Sequence, residues 1–568
     1  KKIIQNSSGN MRFFITTNSF SAIERKLHAK STALQYIDQI NFCKTPRPLN
    51  QVLSWQDEFL MRYHREEVNI ANLDRIVFSD FQKSTATMGN YKSEKAPFTQ
   101  RVHLIPCLPQ SNENLSIDSV WQESPVHRSG QQLKLCFSVR NYGDEDINEA
   151  PITIVFDGKT RMTNVTVKAK SSAESYVYFT PNKNGYLKGK VSVSDRFITF
   201  DDDFYFVNKI AKQGSILVIE GEDGVSNTAK VFQTEPFYSV QTCSEFSFSK
   251  RLLKQVDLVV LNGLNQIPSG LGNDLAAFSN QGGSVLCIPG KNINQPDYRS
   301  FLSNYGLNEF SGSVNSGNQL SEISYASRFF KGVFEKQQKS LNIPLFKRVY
   351  TLKNYKQANA EVLMQFRNQL PFFLSVKQQQ GTLYLLTADV SEQNGSFTSN
   401  ALFPSLILRS AELSLRALPP YAMIGAPSLL EIETNSNEEK PLSISTNKQT
   451  YIPKQIYEDG LVRIQLNQPE LTDRLIEGWY TIQDDAVLAE TALNLNRSES
   501  ETALIPEEDI KIYFENVGFE KVQIKALTNG HSSFNLELDK PASFWRIFVW
   551  LTFLFLIAEM AIIKFWKQ

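Results

Sequence analysis

The last part of the chain contains one long apolar run, and this run most constrains what the chain can become. From Phe544 to Ile563 the only polar residues are Arg546, Thr552 and Glu559. A helix of about 20 such residues is long enough to cross a bilayer core of roughly 30 Å. Some 540 residues precede the run and only a few follow it. The sequence therefore predicts a single transmembrane helix with the folded mass on one side of the membrane.

Four residues in this run or just after it are predicted to set how the helix sits in the bilayer. Trp545 and Trp566 lie near its two ends, where amphipathic rings favour the membrane interface, and Trp550 lies one turn further in. Glu559 is costly in lipid, so we expect it either to face a protein partner or to reach the interface from the helix end. Basic residues flank both ends, so charge does not fix the orientation.

Length and composition bound the remaining possibilities. A chain of 568 residues is too long for one hydrophobic core, so several folded units are expected. Because the chain begins with Lys1 and lacks the layout of a signal peptide, we expect a fragment or a processed product. Lys plus Arg and Asp plus Glu number 59 each, which gives no reason to expect nucleic acid as a partner. The five cysteines are far apart and read as apolar core residues, although a pairing stays open: Cys43, Cys107, Cys136, Cys243 and Cys287.

The hydrophobic pattern changes several times along the chain. Strand-like and helical signals alternate over residues 1–110, which indicates a partial α/β domain with a parallel sheet. Short alternating strands between turns fill residues 111–210 and predict an immunoglobulin-like β-sandwich. Continuous apolar strands return in residues 211–418 and predict a second, flavodoxin-like or amidotransferase-like α/β domain, with an insertion at about 291–370. Residues 419–540 predict a small β-rich domain, and residues 541–568 the transmembrane helix.

One turn in the second α/β domain is a candidate ligand site. Gly221 and Gly224 follow an apolar strand, and Ser226 stands where a helix is expected to begin. Open α/β sheets bind phosphates at such turns. The turn lacks the third glycine and the lysine of the known phosphate-binding motifs, so an ordinary capped turn without a nucleotide is the favoured interpretation.

No set of catalytic residues is apparent, and no cofactor is predicted. Asp80 ends an apolar strand and is a candidate oxygen ligand for a hard cation, but a single carboxylate is not a metal site. Cys287 lies inside an apolar strand rather than in a sharp glycine-flanked elbow, which predicts a core residue. The five histidines are scattered, so they suggest neither a metal site nor a triad. The chain is therefore predicted not to be an enzyme.

The amino-terminal segments resemble a known family. The run from Phe13 to Phe20, the helix through Tyr36-Ile37-Asp38 and the strand from Ile76 to Gln82 resemble the later two-thirds of the von Willebrand factor A domain in BatA-type membrane proteins of Bacteroidetes. In that resemblance Asp80 occupies the position of the metal-site aspartate. The Asp-x-Ser-x-Ser motif would precede Lys1, and the threonine-bearing loop falls near 45–48 without a clear match, so the metal site is expected to be degenerate.

The resemblance continues along the chain. The segment from Asp274 to Leu286 is similar to the class I glutamine amidotransferase-like domain of these proteins, without its catalytic residues. Ala401-Leu402-Phe403-Pro404 and Ala558-Glu559-Met560 fit the same family. The resemblance implies an amino-terminally truncated, aerotolerance-related protein of the inner membrane, with its soluble domains facing the periplasm.

These observations lead to a main hypothesis and two alternatives. The main one is a membrane-anchored, non-enzymatic envelope protein that binds other envelope or membrane proteins and contacts the lipid bilayer through its last helix. The first alternative is a small-ligand sensor or degenerate hydrolase that uses the turn from Gly221 to Ser226. Solute transport is the weaker alternative, because one span cannot form a pathway without partners.

Overall fold

The fold is seen in a computed structural model of the chain. It describes residues 1–565 except 10, 42–45, 67–72, 88, 90, 92–98, 108–112, 124–126, 196–197, 226, 255, 316–317, 332, 335–343, 359, 416–418, 427–428, 434–439, 447–448, 459–460, 473, 520 and 526–544. The described residues form mixed α/β and all-β parts and end in an apolar helix, as predicted in outline. Five hydrophobic clusters divide them into compact parts.

The amino-terminal elements are α1 (Lys2–Asn6), β1 (Arg12–Phe13), β2 (His28–Ala29), α2 (Lys30–Ile37), α3 (Leu49–Glu66), β3 (Leu73–Ser79) and β4 (Thr99–Pro106). Strands β3 and β4 are parallel, as the alternation of strand and helix predicts. A buried ion pair ties α3 to this sheet, because Arg75 Nη2 lies 2.5 Å from Asp57 Oδ1. The hydroxyl of Tyr91 donates to the other oxygen of Asp57 at 2.7 Å and completes the pair.

A β-sandwich follows, built from β5 (Leu115–Gln122), β6 (Leu133–Asn141), β7 (Ile147–Phe156), β8 (Lys159–Val167), β9 (Ser172–Phe179), β10 (Gly185–Ser192) and β11 (Asp203–Ile210). Its sheets have the orders β11-β10-β7-β8 and β5-β6-β9. Alternate side chains of all seven strands share one core, which is what the period of two in the sequence requires. The β7–β8 hairpin turns at Asp157 and Gly158, both with positive φ, 49° and 74°.

The central α/β unit contains β12 (Gly214–Glu220), α4 (Asn227–Gln233), β13 (Tyr238–Ser244), β14 (Leu258–Leu264), α5 (Ser269–Asn280), β15 (Ser284–Pro289), α6 (Gln295–Ser303), β16 (Phe310–Val314), β17 (Asn318–Ile323), β18 (Leu345–Phe346), β19 (Val349–Leu352), β20 (Glu361–Phe366), β21 (Pro371–Gln378), β22 (Gly381–Leu386) and α7 (Leu402–Ser414). Nine of these strands form one sheet in the order β13-β12-β14-β15-β22-β21-β20-β17-β18.

The central sheet is parallel at one end and antiparallel at the other. Strands β13, β12, β14, β15 and β22 are parallel. All of them except the edge strand β13 carry the continuous apolar runs that predict a sheet buried on both faces. Helices α4 and α7 cover one face, and α5 and α6 cover the other. The predicted insertion at 291–370 is not a separate elaboration, because β20 pairs antiparallel with β21 and β17 pairs antiparallel with β20, so both extend the same sheet.

The small β unit contains β23 (Ala422–Met423), β24 (Leu429–Glu433), β25 (Ser443–Ser445), β26 (Thr450–Tyr451), β27 (Lys454–Glu458), β28 (Leu461–Gln465), α8 (Pro469–Thr472), β29 (Gly478–Gln483) and β30 (Val487–Asn494). Its sheets, β23-β30-β29-β25-β26 and β24-β28-β27, enclose one core. Trp479 connects it to the β-sandwich, since the indole N–H lies 3.2 Å from Gly189 O and 3.3 Å from Phe206 O.

The chain then returns to the amino-terminal sheet. Helix α9 (Glu507–Asn516) leads into β31 (Val522–Ile524), which pairs parallel with β4 and gives the sheet order β3-β4-β31. This corrects the predicted domain of 419–540, because its last elements complete the amino-terminal unit instead. Strand β31 has only three residues, so its hydrophobic pattern is too short to identify a partner strand some 400 positions away in the sequence. Helix α10 (Trp545–Phe565) is the last element.

Candidate functional site

The turn between β12 and α4 lies at the carboxyl edge of the central sheet, next to the loop that ends β14. Gly221 and Gly224 are packed against that loop. A Cβ on Gly221 would lie 2.5 Å from Gly263 O, and one on Gly224 would lie 2.9 Å from Asn262 O. Both glycines are therefore explained by close approach of two backbones. Ser226, the third predicted ligand residue, lies outside the described residues.

Asn262 holds the turn in place through its side-chain amide. Its Nδ2 donates to Glu220 Oε2 at 2.5 Å and to Val225 O at 3.0 Å. Its Oδ1 accepts from Val225 N at 3.3 Å and from the Thr228 hydroxyl at 3.1 Å. All the hydrogen-bonding capacity of this buried amide is used by its neighbours.

Three main-chain donors of the turn are also in use. Gly221 N donates to Asn262 O at 2.9 Å, Asp223 N to Gly263 O at 3.3 Å, and Gly224 N to Gly221 O at 3.1 Å. A phosphate cradle needs such N–H groups to point at the ligand. In this turn they point at the protein.

Asp223 closes the other side of the turn. Its Oδ2 accepts from Asn265 Nδ2 at 2.8 Å and from Lys291 N at 2.9 Å. The Lys291 ammonium lies 3.5 Å from Asp223 Oδ1 and partly neutralises it. The arrangement joins three loops of the sheet edge into one polar network.

The electrostatics of this edge disfavour an anion. Burial raises the pKa of Glu220, and the hydrogen bond from Asn262 partly offsets that effect. Burial and the nearby Glu222 raise the pKa of Glu245. Carboxylates this close to the turn would repel a phosphate or a carboxylate ligand. Ligand binding at Gly221, Gly224 and Ser226 stays a prediction, and the visible geometry does not favour it.

Cys287 is a core residue, as predicted. It lies in the middle of β15 and its side chain is 0% exposed. Burial raises the pKa of its thiol to about 12. A nucleophilic cysteine needs an accessible thiolate, and this thiol is neither accessible nor readily ionised. The described cysteines Cys107, Cys136, Cys243 and Cys287 are all unpaired, and Cys43 lies outside the described residues.

Asp80 follows the end of β3 at the carboxyl edge of the amino-terminal sheet. Its Oδ1 accepts weakly from the Ser79 hydroxyl at 3.4 Å and from Gln82 N at 3.5 Å. Within the described ranges, no three His, Cys, Asp or Glu side chains are grouped to hold a metal ion. Thr45, in the predicted threonine-bearing loop, lies outside those ranges.

Helix α10 is long and apolar enough to cross a membrane, and no other helix in the described part of the chain passes the same test. Its side chains are exposed along Ile547–Phe565, with Trp550 74% exposed. Glu559 lies 6 residues before the helix ends at Phe565, about 9 Å along the axis, and so falls within the apolar part. Trp545 begins the helix, although its side chain is not described, and Trp566 lies outside the described residues. The helix supports association of the chain with a membrane.

Sequence reasoning missed a groove on the β-sandwich. Its lining includes residues of β8 and β9, among them Arg161, Met162 and Tyr178. The signal available in the sequence was an apolar Met162 between polar residues, directly after the hairpin at Asp157-Gly158. Which strands would become sheet edges was not visible in the sequence.

Comparison with known proteins identifies no family. No family model matches the chain, and no curated protein matches it. Among solved structures, a cytoplasmic protein of Salmonella typhimurium is 13% identical over 35% of this chain and 98% of its own, with a TM-score of 0.27. PurLQS of Thermotoga maritima is 10% identical over 35% of this chain and 99% of its own, with a TM-score of 0.25. A CARDB domain of Pyrococcus furiosus, solved in complex with di-metal ions, is 12% identical over 18% of this chain and 94% of its own, with a TM-score of 0.16. Similarities of this size assign no function.

Proposed function

We propose that this chain is a membrane-anchored, non-enzymatic protein of the cell envelope that binds other proteins. The observation that carries the proposal is the combination of an exposed, apolar terminal helix with several folded units, in the central one of which the carboxyl edge of the sheet is closed by its own side chains. A protein built in this way presents surfaces and loops rather than a reactive cleft.

The proposal includes the finer assignments made from the sequence. The amino-terminal unit is von Willebrand factor A-like, the β-sandwich is immunoglobulin-like, and the central unit is a degenerate class I amidotransferase-like domain. Parallel pairing of β3, β4 and β31 supports the first assignment, and the burial of Cys287 in β15 supports the loss of catalytic residues in the third. Fold alone does not establish function, so the binding role rests on the test below.

The proposal also assigns a family and a location. We place the chain with the BatA-type proteins of Bacteroidetes, in the inner membrane with the soluble units in the periplasm. The membrane helix follows the folded units and contains Glu559 within its apolar length. A carboxylate at that depth is costly unless a neighbouring protein provides a polar partner. Glu559 is therefore our candidate contact to another membrane protein.

The proposal is tested by purifying the full chain from membranes in a mild detergent and identifying the proteins that come with it. We expect envelope proteins to co-purify with the wild type and at least one membrane-embedded partner to be lost from Glu559→Leu. Glu559→Gln, which keeps a polar group at the same position, is the matched control and should retain more of that partner.

A second variant, Asp80→Ala, examines the edge of the amino-terminal sheet. Loss of a soluble partner from this variant alone would assign that edge to protein binding. A wild-type chain that purifies alone, with no partner in several detergents, would contradict the proposed function.

A further inference from the structure

The β-sandwich has two unpaired strand edges on the same side. Strand β8 is the last strand of one sheet and β9 the last strand of the other. Among the residues that the structure describes, β8 pairs only with β7 and β9 only with β6. Alternate N–H and C=O groups along each edge therefore point away from the sheet, and such edges are templates for another strand.

A groove of about 410 Å³ runs between these two edges. Val177 and Phe179 form its floor and belong to the core of the β-sandwich. Met162 and Tyr178 also line it and are 72% and 44% exposed. The groove thus offers apolar contacts beside an open strand edge, which is how sheets commonly bind extended peptides.

The groove is held in shape by contacts at one end. The Lys159 ammonium donates to Thr180 O at 3.1 Å and so joins the start of β8 to the end of β9. The Lys183 ammonium lies 2.5 Å from Asp157 Oδ1 at the hairpin turn. Binding there would require little ordering of the protein.

The charge of the groove identifies the kind of occupant. Lys159 and Arg161 both line it, and no carboxylate is among the described lining residues. The Arg161 side chain is exposed and forms no ion pair or hydrogen bond with any described residue. Antiparallel pairing of two β8 strands would bring these cations together, so the charge disfavours a second copy of the chain and favours an acidic segment.

We propose that this groove binds an extended, acidic segment of a partner protein, which adds to the sheet as a strand along β8. The segment would alternate carboxylates, which meet Arg161 and Lys159, with apolar side chains, which pack against Met162. The inference rests on the proposed function and names one surface by which it acts.

The test measures peptide binding to the full chain in mild detergent by fluorescence anisotropy. The probe is a labelled eight-residue peptide in which glutamate alternates with valine. We expect saturable binding that Arg161→Glu weakens about tenfold, because an attraction is replaced by a repulsion. Lys168→Glu makes the same charge change on an exposed residue just beyond the far end of β8, roughly 23 Å away, and should alter the Kd less than twofold.

Two further measurements separate strand pairing from attraction by charge alone. The same peptide with alternate backbone nitrogens methylated cannot pair with a strand, and we expect it not to bind. Bound unmodified peptide should slow hydrogen exchange in residues 160–164. Equal binding of the methylated peptide, or an unchanged Kd for Arg161→Glu, would overturn the proposal.

The remaining outcomes distinguish this inference from the proposed function. If sedimentation shows a dimer and residues 160–164 exchange slowly without peptide, the groove is occupied by a second copy and the acidic-segment proposal fails. If no peptide binds while envelope proteins still co-purify with the chain, the groove is excluded and the proposed function stands. If the peptide binds as described but nothing co-purifies with the chain, the groove stands and the proposed function fails.

Discussion

Asp202 lies at a seam between the β-sandwich and the segment that follows the small β unit. Its neighbour Asp201 is fully buried and accepts from Asn114 Nδ2 at 2.9 Å, and the same amide group donates to Ser500 O at 2.9 Å. Burial and the negative charge of Asp195 raise the pKa of Asp202 to about 6. Burial also raises the pKa of Asp201, so the seam holds two carboxyl groups that take up a proton unusually readily.

This raised pKa makes the stability of the seam depend on pH. Asp202 would titrate near 3.8 in the unfolded chain and near 6 in the folded one, so the folded state binds more protons between these values. The contribution of Asp202 to stability is therefore fully present below about pH 4 and is lost as pH rises through 6. We expect Asp202→Asn to be more stable than the wild type at pH 7, with the difference shrinking as pH falls to 4.

The measurement is the urea midpoint of the β-sandwich at pH 4, 5, 6 and 7, followed by hydrogen exchange in β10 and β11. Asp201 and Asp203 are common to both proteins but interact with Asp202, so the difference measures Asp202 together with its coupling to these two carboxyl groups. Glu145→Gln, on an exposed turn of the same β-sandwich, is the control and should leave the profile unchanged. A pH-independent difference between Asp202→Asn and the wild type would refute the assignment.

At the residue scale, the sequence predicted whether a side chain is buried better than it predicted which residues contact it. The apolar neighbours of Cys287 were enough to predict burial, because a strand buried on both faces leaves no exposed position. The glycines at 221 and 224 were recognised as important, but the pattern did not show that a second backbone approaches them. That approach depends on the β14 loop, some 40 residues further along the chain.

Helix α9 shows the same limit at the scale of the element. Its core-facing side chain Phe514 is 1% exposed and lies 6.5 Å from the ring of Phe81 and 5.8 Å from that of Phe519. The sequence analysis predicted a small β-rich domain here and no helix, and the sheet that α9 covers begins more than 400 residues earlier. Short elements of this kind contain too few residues to identify their partners.

Removing the Phe514 ring should loosen the amino-terminal sheet. We expect Phe514→Ala to lower the free energy of unfolding of this unit by about 3 to 5 kcal/mol, the usual cost of a large-to-small change in a packed core. Hydrogen exchange should therefore accelerate in β3 and β4, far away in sequence. Native-state exchange of the full chain measures both effects.

The matched control lies on the opposite face of the same helix. Ile512 is 53% exposed, and Ile512→Ala should change the stability by less than about 0.5 kcal/mol. Faster exchange confined to α9 in the Phe514→Ala protein, with β3 and β4 unaffected, would show that the returning segment does not stabilise the sheet.

At the scale of the whole molecule, one unit is assembled from both ends of the chain. Strand β31 pairs with β4. In the sequence, the β-sandwich, the central unit and the small β unit are therefore inserted between two parts of the amino-terminal unit. The membrane helix then follows the segment that closes this unit. The anchor is therefore connected most directly to the amino-terminal sheet.

Removing residues 545–568 should release the chain from membranes without unfolding it. We expect the full chain to stay in the pellet after a carbonate wash and the truncated chain to appear in the supernatant, because no other described helix is apolar and long enough to span a bilayer. Glu559→Leu keeps the apolar length and should remain in the pellet. Truncated protein that stays with carbonate-washed membranes would point to a second membrane attachment.

By itself the sequence determined the local character of this protein. Alternation of apolar and polar residues indicated the all-β segments, and continuous apolar strands indicated the α/β segments. The apolar run near the end indicated a helix suited to a membrane. These features depend only on residues close together in the chain, so they can be read directly from the sequence. Only the tertiary structure decided that β31 joins β4, that the region at 291–370 extends the central sheet, and that β8 and β9 are left as edges. Each of these facts depends on pairing between distant strands, where backbone hydrogen bonds carry no residue-specific signal and burial is shared among many side chains.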